Sequence, residues 1–174
     1  MKTNRILAVI LLMISLSMVS CKSTQPIEIN TQEDRDNVLE SFAQDVFKFV
    51  IQDKSSVLDR HLPTINIVRE MYMSEVEGKS DEEIEILILQ LKERLIENAE
   101  KVRKGIKESG NNLKLTEYAG YIPYPDQANG SVEVMSIQLK NGSKEGAIPI
   151  TFDLEDGIVY FLEILMTTNV IKGN

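Results

Sequence analysis

The 174-residue sequence has few of the residues that build small catalytic or metal sites. It contains one cysteine, one histidine and no tryptophan, and aromatic residues make up only 6% of it. One cysteine excludes an intramolecular disulfide, and one cysteine with one histidine cannot supply a usual four-ligand zinc site. No glycine-rich phosphate loop or nucleophile elbow is present either. We therefore predict no metal site, no cofactor and a fold stabilised by packing alone.

Basic residues are scarce compared with acidic ones. The chain has 19 Lys and Arg residues against 27 Asp and Glu residues, which gives a net charge of −8. Residues 1–20 contain two cations and no acid, so residues 21–174 carry −10. An acidic surface repels phosphate groups. We expect no nucleic-acid partner and little attraction to anionic lipid headgroups.

The main apolar run is short and lies near the start of the chain. Lys2 and Arg5 precede it, and the run at residues 6–16 is interrupted only by Ser15. At a rise of about 1.5 Å per residue, a helix of this length crosses only about half of a ~30 Å hydrocarbon layer. A charged start, a short apolar core and small residues at the end are typical of a secretory signal. We predict a signal peptide at residues 1–20.

Cys21 comes directly after these small residues. The stretch Met18-Val19-Ser20-Cys21 resembles the lipobox of bacterial lipoproteins. That resemblance implies that Cys21 becomes the first mature residue, carries lipid such as palmitate, and anchors the protein to an envelope membrane. The polar residues after Cys21 include no acidic cluster of the kind that some surface lipoproteins carry, which favours a periplasm-facing position. An ordinary signal peptide with a cysteine nearby is the alternative.

The rest of the chain divides into a polar tether at residues 21–32 and a single domain at residues 33–174. Apolar residues at helical spacing predict a first helix to about residue 53 and a second from Pro63 to Gly78. A capping box formed by Ser80 and Glu83 begins a third helix, which should reach residue 108. Its first half is apolar on most sides and is expected to be buried. Its charged second half, at residues 97–108, is expected to project into water.

The periodicity then changes to two, which predicts strands at about 113–121, 132–139, 147–154 and 158–166. Asp156-Gly157 indicates a hairpin turn, and residues 167–174 are expected to fray. The sequence therefore predicts an α+β domain, with three helices packed on a four-stranded antiparallel meander. This order of elements resembles the nuclear-transport-factor-like and cystatin-like folds. The resemblance implies a curved sheet that wraps around helices and leaves a pocket.

The predicted hairpin places one acid on an apolar face. A two-residue turn at 156–157 sets Phe152 opposite Phe161 and Ile150 opposite Glu163. Glu163 would then lie beside Phe152 and Phe161, where an unpaired carboxylate is costly. This register indicates a candidate ligand pocket formed by these three residues. A rim glutamate, or a register shifted by a β-bulge, is the alternative.

Three further groups of residues are candidates for function. His61 lies near Asp59 and two serines, but a catalytic triad is recognised by geometry, so we predict a surface or helix-end histidine and assign no catalytic residue. The acids at 153–156 are expected to be a solvated turn, because calcium needs six or more shaped oxygens. The tyrosines beside Pro123 and Pro125 form a candidate interaction patch, or else plug the open end of the sheet; they are Tyr118, Tyr121 and Tyr124.

These observations favour a non-enzymatic lipoprotein whose domain binds an envelope protein or a small molecule. A small pocketed α+β enzyme that uses Glu163 or His61 as acid or base is the second hypothesis. A third is an inhibitory or structural module that acts through the sheet edge, as the cystatin-like resemblance implies.

Overall fold

The domain has helices first and an antiparallel sheet after them. The structure is a computed structural model that describes residues 29–165 and 171–172. The predicted signal peptide, Cys21 and most of the tether lie outside these residues. The α+β class is confirmed, as is the sequential four-strand meander.

The first helix, α1, spans Gln32–Gln52 and forms one wall of the core. Thr31 caps its first turn, and the Asp34 side chain bonds back to the backbone of Thr31. The helix ends at Asp53, which adopts a left-handed conformation with φ 58°. A 3-10 helix, Ser55–His61, follows directly and packs against α1.

The predicted second helix is two separate helices, α2 at Ile65–Met71 and α3 at Met73–Val76. Tyr72 between them leaves the helical conformation, with φ −123° and ψ 37°. Its ring packs against a small apolar cluster formed by Val68, Val76 and Ile84. Among the described residues, four α-helices precede the sheet together with short 3-10 helices, so the prediction of three helices was wrong.

The long helix, α4, spans Asp81–Glu108 and begins with the predicted capping box. Its burial agrees with the sequence prediction only in part: Ile84 in the first half is buried and most charged side chains of the second half are exposed, but the second half also packs into the core. One stripe of small or apolar side chains packs this helix into the core from its middle to its end. Its members are all at most 2% exposed: Leu95, Ala99, Val102 and Ile106. The first half is only partly covered. Tertiary packing therefore follows one regular stripe of the helix, and total hydrophobicity does not decide which half is buried.

Within the described residues the sheet has five strands, and the first four pair in sequence order. A 3-10 turn at Leu113–Leu115 replaces the predicted start of the first strand. A two-residue fifth strand, Ile171–Lys172, lies where fraying was predicted. It pairs with Glu145 and Gly146 at the start of the third strand. The strands are β1 Thr116–Pro123, β2 Val132–Asn141, β3 Lys144–Glu155, β4 Ile158–Ile164 and β5 Ile171–Lys172.

The core lies between α1, the second half of α4 and one face of the sheet. Phe42 of α1 is at its centre, with its ring centroid 5.6 Å from that of Phe152 and 5.7 Å from that of Phe161. The first half of α4 extends beyond this core. There it meets α2, α3 and the smaller cluster around Val68.

Candidate functional site

The first half of α4 carries large apolar side chains that the domain leaves uncovered. Ile86 is 52% exposed, Leu87 40% and Leu89 57%. Ile86 and Leu89 are three residues apart and therefore lie side by side on the helix surface. We call Ile86 and Leu89 the apolar helix face, because Leu87 lies on another side of the helix and lines the neighbouring pocket. Large exposed apolar side chains that are neighbours on one helix surface make this face a candidate interaction site.

Acidic residues border the apolar helix face. Glu82 lies one turn before Ile86, Glu85 one turn before Leu89, and Glu93 one turn after Leu89. All three are exposed. Within the part of the chain that the structure describes, none of them is within salt-bridge distance of a cation. The face therefore combines an apolar centre with a negatively charged border.

A pocket of about 310 Å³ lies beside this face, between α2, α4 and the sheet. Its walls are mostly apolar side chains from these elements, including Val68, Leu87, Ile88, Leu91, Val132 and Leu162. Tyr72 and Arg94 are the polar side chains on its lining. Apolar walls with a few polar groups are typical of small-molecule sites.

A buried carboxylate lies behind one wall of this pocket. Asp153 is 0% exposed, and its Oδ2 accepts a hydrogen bond of 2.8 Å from the hydroxyl of Ser131. Its Oδ1 has no hydrogen-bond donor among the described residues. Burial, followed by the nearby Asp153 carboxylate, raises the pKa of Tyr72 to about 12. The expected solvated turn is therefore wrong for Asp153, because the β2–β3–β4 pairing places this residue inside the domain.

His61 belongs to a charge cluster that ties the 3-10 helix to the core. Asp45 is 6% exposed and accepts from Lys48 at 2.9 Å, from Arg60 at 2.8 Å and from His61 Nε2 at 3.2 Å. The other ring nitrogen of His61 lies 3.0 Å from the carbonyl oxygen of Val159. His61 is the last residue of its helix, as the helix-end prediction has it. Both of its nitrogens are occupied by the fold.

The Asp45 carboxylate is held in its charged form by these partners. Burial acts to raise its pKa, but hydrogen bonds from His61 and Lys48 and the charge of Arg60 outweigh burial. Together they lower the pKa of Asp45 to about 2. The cluster has no feature that points to a ligand, and its role is to stabilise the contact between α1 and the 3-10 helix.

The predicted pocket around Glu163 does not form with the predicted register. Phe152 pairs with Phe161 as expected, but a β-bulge follows, and Glu163 pairs with Thr151 instead of Ile150. Glu163 is exposed, whereas Phe152 and Phe161 are fully buried beneath Phe42. The alternative of a register shifted by a bulge is confirmed. The structure therefore separates the acid from the two rings with which it was grouped.

Two of the three candidate patch tyrosines are half-buried against α1. The Tyr118 hydroxyl donates to Glu40 at 2.9 Å, and its ring packs 5.8 Å from that of Phe47. Burial and the Glu40 carboxylate raise the pKa of Tyr118. The Tyr121 hydroxyl donates to the backbone oxygen of Asp36 at 3.4 Å. Tyr118 and Tyr121 thus close the space between α1 and β1, while an interaction role for Tyr124 stays a prediction.

Among residues 29–165 and 171–172, no group of three or more His, Cys, Asp or Glu side chains is placed to hold a metal ion. None of the helices in that same part of the chain combines the length and hydropathy needed to cross a bilayer.

The sequence shows that the first half of α4 is apolar on most sides, but the prediction assigned all of this half to the core. The sequence does contain a signal for the buried side of the helix. Only one stripe of the first half continues in register into the buried residues of the second half, and it consists of Ile84, Ile88, Leu91 and Leu95. Arg94 and Tyr72 were missed as site residues. They are distant in sequence, and only the packing of α2 against α4 brings them to one pocket.

Comparison of the chain with protein-family models, with curated proteins and with solved structures gives no match. The resemblances to lipoproteins and to the two α+β folds therefore stay predictions.

Proposed function

We propose that this protein is an exported lipoprotein whose folded domain is a binding module held near an envelope membrane. The charged start, the short apolar run and the Ser20-Cys21 junction support export and acylation of Cys21. Acyl chains bury methylene groups at about 0.8 kcal/mol each, and two or more chains give stable anchoring. The chain between Cys21 and Gln32 can extend at most about 40 Å, so the domain stays near the membrane surface.

The observation that carries the binding role is the exposure of the apolar helix face. Ile86 and Leu89 are more than half exposed although their helix is anchored in the core by its other half. Removing apolar surface from water is favourable by about 25 cal/mol per Å². Because the described residues leave these side chains uncovered, a partner can gain that free energy on binding.

The border of the face indicates what kind of partner fits. Glu82, Glu85 and Glu93 place negative charge around the apolar centre. Complementary charge raises association rates and excludes wrong partners. We therefore propose an envelope protein that presents apolar side chains flanked by Lys or Arg, such as one face of a basic amphipathic helix. The same acids disfavour binding of the face to anionic lipid headgroups.

The test is photo-crosslinking in living cells with the full-length lipoprotein. A photoreactive amino acid at position 89 is expected to give a discrete protein adduct, because Leu89 lies at the centre of the proposed interface. The matched control is position 100, since Glu100 is exposed on the second half of the same helix. A second substitution, Ile86→Gln, should weaken the position-89 adduct without unfolding the domain, because Ile86 is 52% exposed.

Two outcomes would contradict this proposal. Equal crosslinking at positions 89 and 100 would show that the apolar helix face has no specific partner. Adducts with lipid alone at position 89 would show that the face lies on the membrane surface.

A further inference from the structure

We infer that the pocket beside the apolar helix face binds a single-chain amphiphile with an anionic head, of the chemical class of a medium-chain fatty acid. This site is separate from the protein interface proposed above and does not depend on it. Three features support the inference. The pocket walls are mostly apolar, Arg94 has no carboxylate partner among the described residues, and Asp153 is buried behind one wall.

The walls and the size of the pocket suit one acyl chain. A volume of about 310 Å³ is at the lower end of the range for small-molecule pockets, which favours one short chain over a two-chain phospholipid. The walls from Ile88, Leu91 and Leu162 offer no hydrogen-bonding side chains. An apolar chain gains hydrophobic free energy there without desolvating a polar partner.

Arg94 supplies the charge that an anionic head requires. It lines the pocket and is exposed at its rim. Within residues 29–165 and 171–172, no carboxylate lies within salt-bridge distance of Arg94. The other four arginines of this part of the chain are all paired, in the pairs Arg35–Glu133, Arg60–Asp45, Arg69–Asp81 and Arg103–Asp53. A guanidinium at an apolar rim is suited to bidentate binding of a carboxylate.

Asp153 sets the orientation of the amphiphile. Its buried carboxylate lies next to Tyr72 and opposite Val132 in the strand register, and both of these residues line the pocket. Asp153 offers no positive charge on that side of the site, whereas the Arg94 guanidinium offers one on the rim. The head is therefore placed at Arg94 on the rim, with the chain directed inward along Leu91 and Leu162.

The test uses the acylated full-length protein in phosphatidylcholine nanodiscs and a diazirine-bearing analogue of decanoate. After illumination, mass spectrometry is expected to locate the label on the pocket segments of α4 and β4. Arg94→Gln should reduce this labelling at least about tenfold, the effect of losing one charge-assisted hydrogen bond. Lys104→Gln removes the same charge from an exposed position on the same helix and should change labelling less than about twofold. Unlabelled decanoate should compete, whereas decanol should not.

Arg94 is exposed, so its substitution is expected to leave the far-UV circular dichroism spectrum unchanged, which checks folding directly. Equal labelling of the Arg94→Gln variant and the parent protein would overturn the inference. Equal competition by decanol and decanoate would also overturn it, as would labels confined to regions outside the pocket. None of these results depends on crosslinking at position 89, so this site and the protein interface can fail separately.

Discussion

Replacing Phe42 with alanine is expected to lower the free energy of unfolding by about 3–5 kcal/mol. Phe42 is 1% exposed and joins α1 to the sheet through Phe152 and Phe161. Its ring also lies 4.9 Å from that of His61, so the cavity would disturb the 3-10 helix as well. Urea unfolding followed by far-UV circular dichroism measures this loss, and the method suits a chain without tryptophan.

Leu115→Ala is the matched control for a lost apolar side chain. Leu115 is 61% exposed, so its truncation should change the free energy of unfolding by no more than about 0.5 kcal/mol. A loss below about 1 kcal/mol for Phe42→Ala would contradict the described core, because removing a central aromatic ring from a well-packed site leaves a cavity that costs more free energy than that.

The second large effect concerns the pH dependence of stability at Asp45. The pKa of this carboxyl is lowered from its ordinary value of 3.8 to about 2 in the folded domain. A depressed pKa gives stability that is fully present above the unfolded value and is lost as pH falls through the folded value. We expect Asp45 to contribute about 2 kcal/mol above pH 4 and to lose that contribution between about pH 4 and pH 2.

Asp45→Asn tests this expectation when unfolding is measured across pH 2–7. The variant should be less stable than the parent at neutral pH by about 2 kcal/mol or more, and the difference should shrink toward pH 2. Asp59→Asn serves as the control, because Asp59 also pairs with a cation, Lys92 at 2.6 Å, but is 59% exposed. Its loss should change stability by less than about 1 kcal/mol at any pH. Parallel pH curves for the parent and the Asp45→Asn variant would show that the cluster does not hold the carboxylate charged.

Elements with strong local signals could be predicted from the sequence. Ser80 and Glu83 form a capping box wherever a helix follows, so the start of α4 is fixed locally. Asp156 and Gly157 both adopt positive φ, 48° and 74°, as a type I′ turn requires, and this sets the first pairs of the hairpin. The α+β class follows from such signals, because each depends on residues only a few positions apart.

Features that depend on packing could not be predicted in the same way. The bulge in β4 moves Glu163 from the apolar face to an exposed position opposite Thr151. The first half of α4 is more hydrophobic than the second, yet Ile86 and Leu89 in the first half are exposed, whereas Val102 and Ile106 in the second half are buried. Which stripe of a helix meets the core is decided by the sheet and α1, which lie far away in sequence.

The candidate site also combines features with a local sequence signal and features that depend on packing. The sequence shows that the first half of α4 is apolar on most sides, but it does not show which of these residues stay exposed. Arg94 has no distinguishing sequence context, and its importance comes from the absence of a carboxylate partner among the described residues around it. Asp153 belongs to an acidic run typical of a solvated turn, and only its position between β2 and β4 makes it buried.

Intact-mass analysis of the protein purified from the envelope tests the central claim most directly. An exported lipoprotein should begin at Cys21 and carry the added mass of a lipid-modified cysteine, and Cys21→Ala should abolish both the processing and the added mass. A chain that retains residues 1–20, or one that begins without any acyl group, would contradict membrane anchoring. In that case the proposed envelope partner would also lose its support.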